Sequence, residues 1–126
     1  MNTEMIAKTE AFLKETFAAS TYLQNNPTER DYRLEHSYRV ANIAKFIAEA
    51  EGFDVTNAVI AGLLHDIAYC EEMVTREDRM NHGRRSAAIA RPFLESLGLC
   101  ADAVNEICYG IAIHVDDEAD FEWERT

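Results

Sequence analysis

Apolar residues recur at three- and four-residue spacing along nearly the whole chain, and no stretch alternates apolar with polar residues as a strand would. A chain patterned in this way buries its apolar faces by packing helices on one another. Its 126 residues, 48% of them hydrophobic, are enough to enclose one core and few for two. No repeat, low-complexity tract or Pro/Gly-rich linker divides it. The expected fold class is therefore all-α, a single-domain bundle of about five or six helices over residues 1–126.

Capping and stop residues place the helices. The first is expected over residues 3 to 19, followed by a loop through Asn25, Asn26 and Pro27. Thr28, with Asp31 three residues on, resembles a capping box that opens a second helix, which Gly52 stops. Asp54 caps a third, almost wholly apolar helix from Val55 to about Ile67, expected in the middle of the bundle. The polar stretch from Ala68 to Asn81 reads as a loop or short helix. Asn81 then caps a fourth helix to Leu97, with Gly98 as its stop and Pro92 as a kink, and a fifth runs from about Asp102 to His114.

Each of the four histidines falls on a different one of these helices. At roughly 100° per residue, His36 lines up with Val40, Ile43 and Ile47, His82 with Ser86, Ile89 and Phe93, and His114 with Ile107 and Ile111. All three are expected to face inward. His65 closes the third helix, with Asp66 beside it. A lone inward histidine is ordinarily a core residue with a satisfied hydrogen bond. Four of them with an adjacent carboxylate are costly to bury without a shared purpose. Imidazole and carboxylate are ligands for divalent transition metals, and facing helices of a bundle are a common frame for such a site.

Four segments carry these residues in order. They are Glu35-His36-Ser37-Tyr38-Arg39-Val40-Ala41, Gly62-Leu63-Leu64-His65-Asp66-Ile67-Ala68, Asn81-His82-Gly83-Arg84-Arg85-Ser86-Ala87 and Ile111-Ala112-Ile113-His114. The pattern resembles the HD-domain superfamily of metal-dependent phosphohydrolases over about residues 28–114. The resemblance implies that His36, His65 and Asp66 are core metal ligands and that His82 and His114 add a second ion, with Asp66 bridging. It implies two divalent ions per chain (Fe, Mn, Co, Ni or Zn) and hydrolysis of a small phosphorylated molecule or nucleotide by a hydroxide held between them. The same ligand set also occurs in HD proteins that use a di-iron centre for oxygenation, and a non-catalytic metal-binding or regulatory module is a third alternative.

The family's pattern closes with a further aspartate well beyond the last histidine. Asp116, Asp117 and Asp120 follow His114 too closely to match it, so these 126 residues are expected to be a truncated piece or to carry an incomplete site, with a ligand supplied by a partner chain as the alternative. Besides Asp66, Arg39 is a catalytic candidate, because three residues after His36 it can face the same pocket; a surface position is the alternative. Arg84 and Arg85, in the first turn of the fourth helix where free N–H groups favour anions, are candidates for binding the substrate phosphate.

Twelve basic against twenty-three acidic residues give a net charge of −11, which disfavours duplex nucleic acid and anionic membranes as partners. Residues 116–126 carry −5 of this and read as a solvated segment. Cys70, Cys100 and Cys108 show no CxxC spacing, and an odd count argues against a disulfide framework. With no signal-peptide pattern and no membrane-length apolar run, a cytoplasmic protein is expected, and a homodimer is compatible with it.

Overall fold

The computed structural model of the chain describes the backbone of residues 1–124 and the side chains of residues 1–114. Among these residues there are helices and one 3₁₀ turn but no strand, and no helix is long and apolar enough to cross a membrane. Helix α1 (Thr3–Ala19) starts where the Asn2 side chain accepts the Met5 N–H, and it buries Thr9, Leu13 and Phe17, one residue every four. Ser20 ends α1, and its hydroxyl accepts the Leu23 N–H to begin a one-turn helix, α2 (Thr21–Gln24), where the sequence suggested only a loop.

Helix α3 (Pro27–Glu51) starts earlier than expected. Pro27 occupies its first turn, where a fixed φ suits the helix and the missing N–H is not needed, so the Thr28–Asp31 box does not form. Gly52, at φ 76°, ends it as anticipated. Helix α4 (Val55–Leu64) is capped by Asp54, which accepts the Asn57 N–H, but it stops three residues short of Ile67. The chain leaves the α-helix at His65 and Asp66 and tightens into a 3₁₀ turn, Ile67–Cys70.

Within the polar stretch, α5 (Arg76–Met80) carries a true capping box, Thr75 with Asp78. Asn81 precedes α6 (His82–Ser96) but makes no side-chain cap bond. The helix runs on through Pro92, which is exposed, as is Ala88, whose carbonyl loses its partner there; the missing bond falls on the wet side. Helix α7 (Ala101–Glu124) continues ten residues past His114, beyond the end expected for it. The side chains of Asp116, Asp117 and Asp120 lie outside the described residues.

Helix α4 is the hub, packed against α1, α3 and α7, while α6 packs on α7. Ile60, Leu63 and Leu64 are fully buried there, joined by Leu13, Phe17, Leu94 and Ile111 from the surrounding helices. The register of α3 differs from the sequence reading. Its buried face is Ser37, Ala41 and Ala48, whereas Ile43 and Ile47 are 55% and 54% exposed and Phe46 is 79% exposed. Small residues face inward because the helices approach closely: a Cβ on Gly62 of α4 would lie 2.7 Å from the Ala41 Cα.

Stability should follow this corrected register. Leu64→Ala, at a fully buried position, is expected to cost about 2–5 kcal/mol in urea unfolding. Phe46→Ala on the outer face should change stability by no more than about 0.5 kcal/mol. Comparable losses from the two would mean that α3 is turned the other way.

Candidate metal centre

The break after Leu64 places the His-Asp doublet. Because the chain leaves the α-helix there, His65 and Asp66 project from the end of α4 toward the N-terminal part of α6, the middle of α7 and the N-terminal half of α3. The turn is held by Ser86, a fully buried hydroxyl one helical turn after His82, which accepts the Ala68 N–H at 3.0 Å. Its inward position in line with His82 was legible; its bond to the turn was not.

All five expected metal ligands converge, as two triangles that share Asp66. In the first, His36 Nε2 and His65 Nε2 lie 3.4 and 3.1 Å from Asp66 Oδ2 and 3.3 Å from each other. In the second, His82 Nε2 and His114 Nε2 lie 3.0 and 3.1 Å from Asp66 Oδ1 and 3.0 Å from each other. Nitrogen and oxygen ligands about 2.0–2.2 Å from one cation in tetrahedral or octahedral geometry are separated by roughly 2.8–3.6 Å. Each triangle is therefore of a size to hold one ion, and each is a donor set that could bind a metal.

Proton positions favour the same conclusion. The Nδ1–H groups of His65, His82 and His114 each point to a carbonyl three residues upstream, those of Gly62, Arg79 and Ile111. A carbonyl oxygen only accepts, so Nδ1 carries the proton and, in a neutral ring, Nε2 presents a lone pair. These lone pairs are directed at one another and at the Asp66 oxygens. Protons on every Nε2 would pack imidazolium charges about 3 Å apart; a cation at each position resolves the conflict without that repulsion. No such bond is formed by His36 among the described residues; the Arg33 carbonyl three residues upstream accepts the Ser37 hydroxyl.

The electrostatics suit metal ligation. Burial lowers the His36 pKa, against the pull of the Asp66 carboxylate, and leaves the ring neutral near pH 7. Burial alone would raise the Asp66 carboxyl, but His114, His65 and His82 around it hold it far below the usual carboxylate range. Asp66 is thus a full negative charge at the point where the two triangles meet.

Arg33, which the sequence reading did not select, reaches this centre. Its Nη1 lies 3.9 Å from Asp66 Oδ2 and its guanidinium sits 3.5 Å from the centroid of the Tyr69 ring. Its Nε is buried without a hydrogen-bond partner among the described residues. Arg39 pairs with Glu35 at 3.4 Å on the exposed side of α3, next to Ile43 and Phe46. Arg85 forms a bidentate pair with Glu71 at 2.8 and 2.7 Å, and Arg84 is an exposed neighbour in the same turn of α6.

The bundle and its paired triangles define a helical protein with a histidine–aspartate cluster that could hold a cation. The family model of the HD domain matches residues 33–123, well over half of the chain, and the chain belongs to that family. It is 41% identical over 63 residues to Ribonuclease Y 1 of Pediococcus pentosaceus, a match covering 50% of this chain and 12% of that protein. It is 38% identical over 84 residues to Ribonuclease Y of Acetivibrio thermocellus, covering 67% of this chain and 14% of that protein. The chain therefore spans less than one sixth of the length of either relative. No solved structure matches it.

Proposed function

We propose that the chain is a metal-dependent phosphohydrolase that binds two divalent transition-metal ions and acts on a small phosphorylated molecule or nucleotide. The observation that carries this reading is Asp66: one carboxylate with a separate pair of imidazoles against each of its oxygens. Two cations so held would supply a nucleophilic oxygen near neutral pH and neutralise charge developing on the phosphoryl group. His36 and His65 would hold one, His82 and His114 the other. Asp66 would contribute one oxygen to each donor set.

Arg33 has the position to meet a phosphate oxygen in front of Asp66, and stacking on Tyr69 keeps its planar fork oriented toward it. Arg84 and Arg85, in the first turn of the helix that starts at His82, are the further candidates for meeting the substrate phosphate, whereas Arg39 lies on the exposed side of α3, away from it. Use of Arg85 requires its pair with Glu71 to open. The relatives' name, ribonuclease, adds ribonucleotide phosphodiesters to the substrates worth testing, while a net charge of −11 argues against duplexes. Cysteines 70, 100 and 108 are unpaired, which accords with a reducing compartment such as the cytoplasm. A homodimer would cover the outward apolar face of α3.

The test is direct. The chain loaded with Mn, Fe, Co, Ni or Zn is expected to hold two ions and to release product from a panel of phosphomonoesters, phosphodiesters and nucleotides. Turnover with redox-inert Zn separates hydrolysis from oxygen chemistry. A chain that holds two ions and turns over no phosphate ester with any metal would overturn the proposal.

A further inference from the structure

A cavity of about 690 Å³ lies where α2 meets α3 and is lined in part by Asn25, Asn26, Thr28, Glu29, Tyr32 and Arg33. Its position relative to the metal centre is set by two of these residues. Arg33 belongs to the cavity wall and also approaches Asp66 Oδ2 at 3.9 Å. Tyr32 belongs to the wall and also stacks on His36, with centroids 5.9 Å apart and planes 15° from parallel. The cavity is therefore the space adjoining the metal centre on the side of His36 and Arg33.

Its chemistry is selective. The two charged groups in the wall offset each other: Glu29 accepts the Tyr22 hydroxyl at 2.5 Å and lies 3.9 Å from the Arg33 Nε. Little net charge is left to attract an ion, so a phosphate gains more at the cations. What the wall offers is the Tyr32 ring, 51% exposed even with His36 stacked on it and the Arg33 guanidinium 5.3 Å from its centroid, beside the carboxamides of Asn25 and Asn26 and the Thr28 hydroxyl. Stacking on an aromatic face plus hydrogen bonds to amide edges is how proteins hold an unpaired nucleobase.

We infer that the Tyr32 cavity is a nucleoside subsite, so that the preferred substrates are nucleotides whose base rests against Tyr32 while their phosphate faces Asp66 and Arg33. This rests on the phosphohydrolase reading and adds which class of ester the site selects.

Binding by the metal-loaded chain tests it, with AMP, ribose 5-phosphate and inorganic phosphate as probes in titration calorimetry. AMP should bind at least about tenfold more tightly than ribose 5-phosphate. Tyr32→Ala should abolish that preference, Tyr32→Phe should restore it, and neither should alter inorganic phosphate binding or metal content. Asn25→Ala, which does not touch His36, should weaken AMP about fivefold and leave ribose 5-phosphate unchanged. Equal affinities for AMP and ribose 5-phosphate in the parent chain would overturn the inference, as would a Tyr32→Ala variant that keeps the preference or loses phosphate binding equally. Hydrolysis measured in parallel separates the two readings. Turnover of glycerol phosphate and nucleotides at equal efficiency sinks the nucleoside subsite alone, whereas base-dependent binding without any turnover sinks the hydrolase reading alone.

Discussion

Asp66→Ala is expected to abolish both cation positions at once. Every other proposed ligand serves one triangle, but Asp66 supplies Oδ2 to His36 and His65 and Oδ1 to His82 and His114. It is also a negative charge in contact with all four imidazoles, and its loss removes that charge from both donor sets. Metal content should fall from two ions per chain to near zero, whereas His82→Ala should leave about one. Thermal unfolding reports the same difference. At a metal concentration 100 times the dissociation constant, one site adds about 2.7 kcal/mol, on the order of 10 °C in a domain of this size. The parent chain should show at least that rise on metal addition and Asp66→Ala should show none. An Asp66→Ala protein that retains two ions would mean that the carboxylate is not shared.

Much of this centre is legible in the sequence because a helix makes direction predictable from spacing. His82 shares a line with the buried Ser86, and His114 with the buried Ile107 and Ile111, so their inward placement follows from periodicity. Helix α3 was harder to read. Its large apolar residues Ile43, Phe46 and Ile47 form one stripe and its small residues Ser37, Ala41 and Ala48 another. Counting hydrophobicity favours the first stripe, but the short distance between α3 and α4 at Ala41 and Gly62 admits only the second. Proximity to His36 alone does not choose between Arg33 and Arg39, which sit three residues to either side. Helical side chains lean toward the N-terminus, and Arg33, on that side, is the one that reaches the centre. The break at His65 was hidden because Leu64, Ile67 and Ala68 stay buried across it, leaving the apolar pattern uninterrupted while the backbone changes course.

Close approach of helices also separates the two halves of the centre, and this gives the second large effect. A Cβ on Gly62 would lie 2.7 and 3.0 Å from Ala41 Cα and N, and one on Gly83 would lie 2.6 and 3.0 Å from the carbonyl oxygens of Ala112 and Ile111. These are backbone atoms, so relief requires a whole helix to retreat by up to about 1 Å, at a cost of roughly 1–3 kcal/mol. Gly62→Ala moves α3, which carries His36, away from α4, whose end positions His65. Gly83→Ala moves α7 away from α6, and it presses on the Ile111 carbonyl that fixes the His114 ring. Each substitution should weaken the ion held by its own pair about 10–100-fold while the other pair keeps its ion, as losses of orienting contacts around metal ligands do. Gly110, also in α7, has no neighbour within 4 Å of an added Cβ, so Gly110→Ala should keep both ions and gain about 0.5–1 kcal/mol of helix stability. Metal analysis of Gly62→Ala, Gly83→Ala and Gly110→Ala should then give about one, one and two ions per chain. Equal metal loss in all three would mean that general destabilisation, not the placement of each histidine pair, controls occupancy.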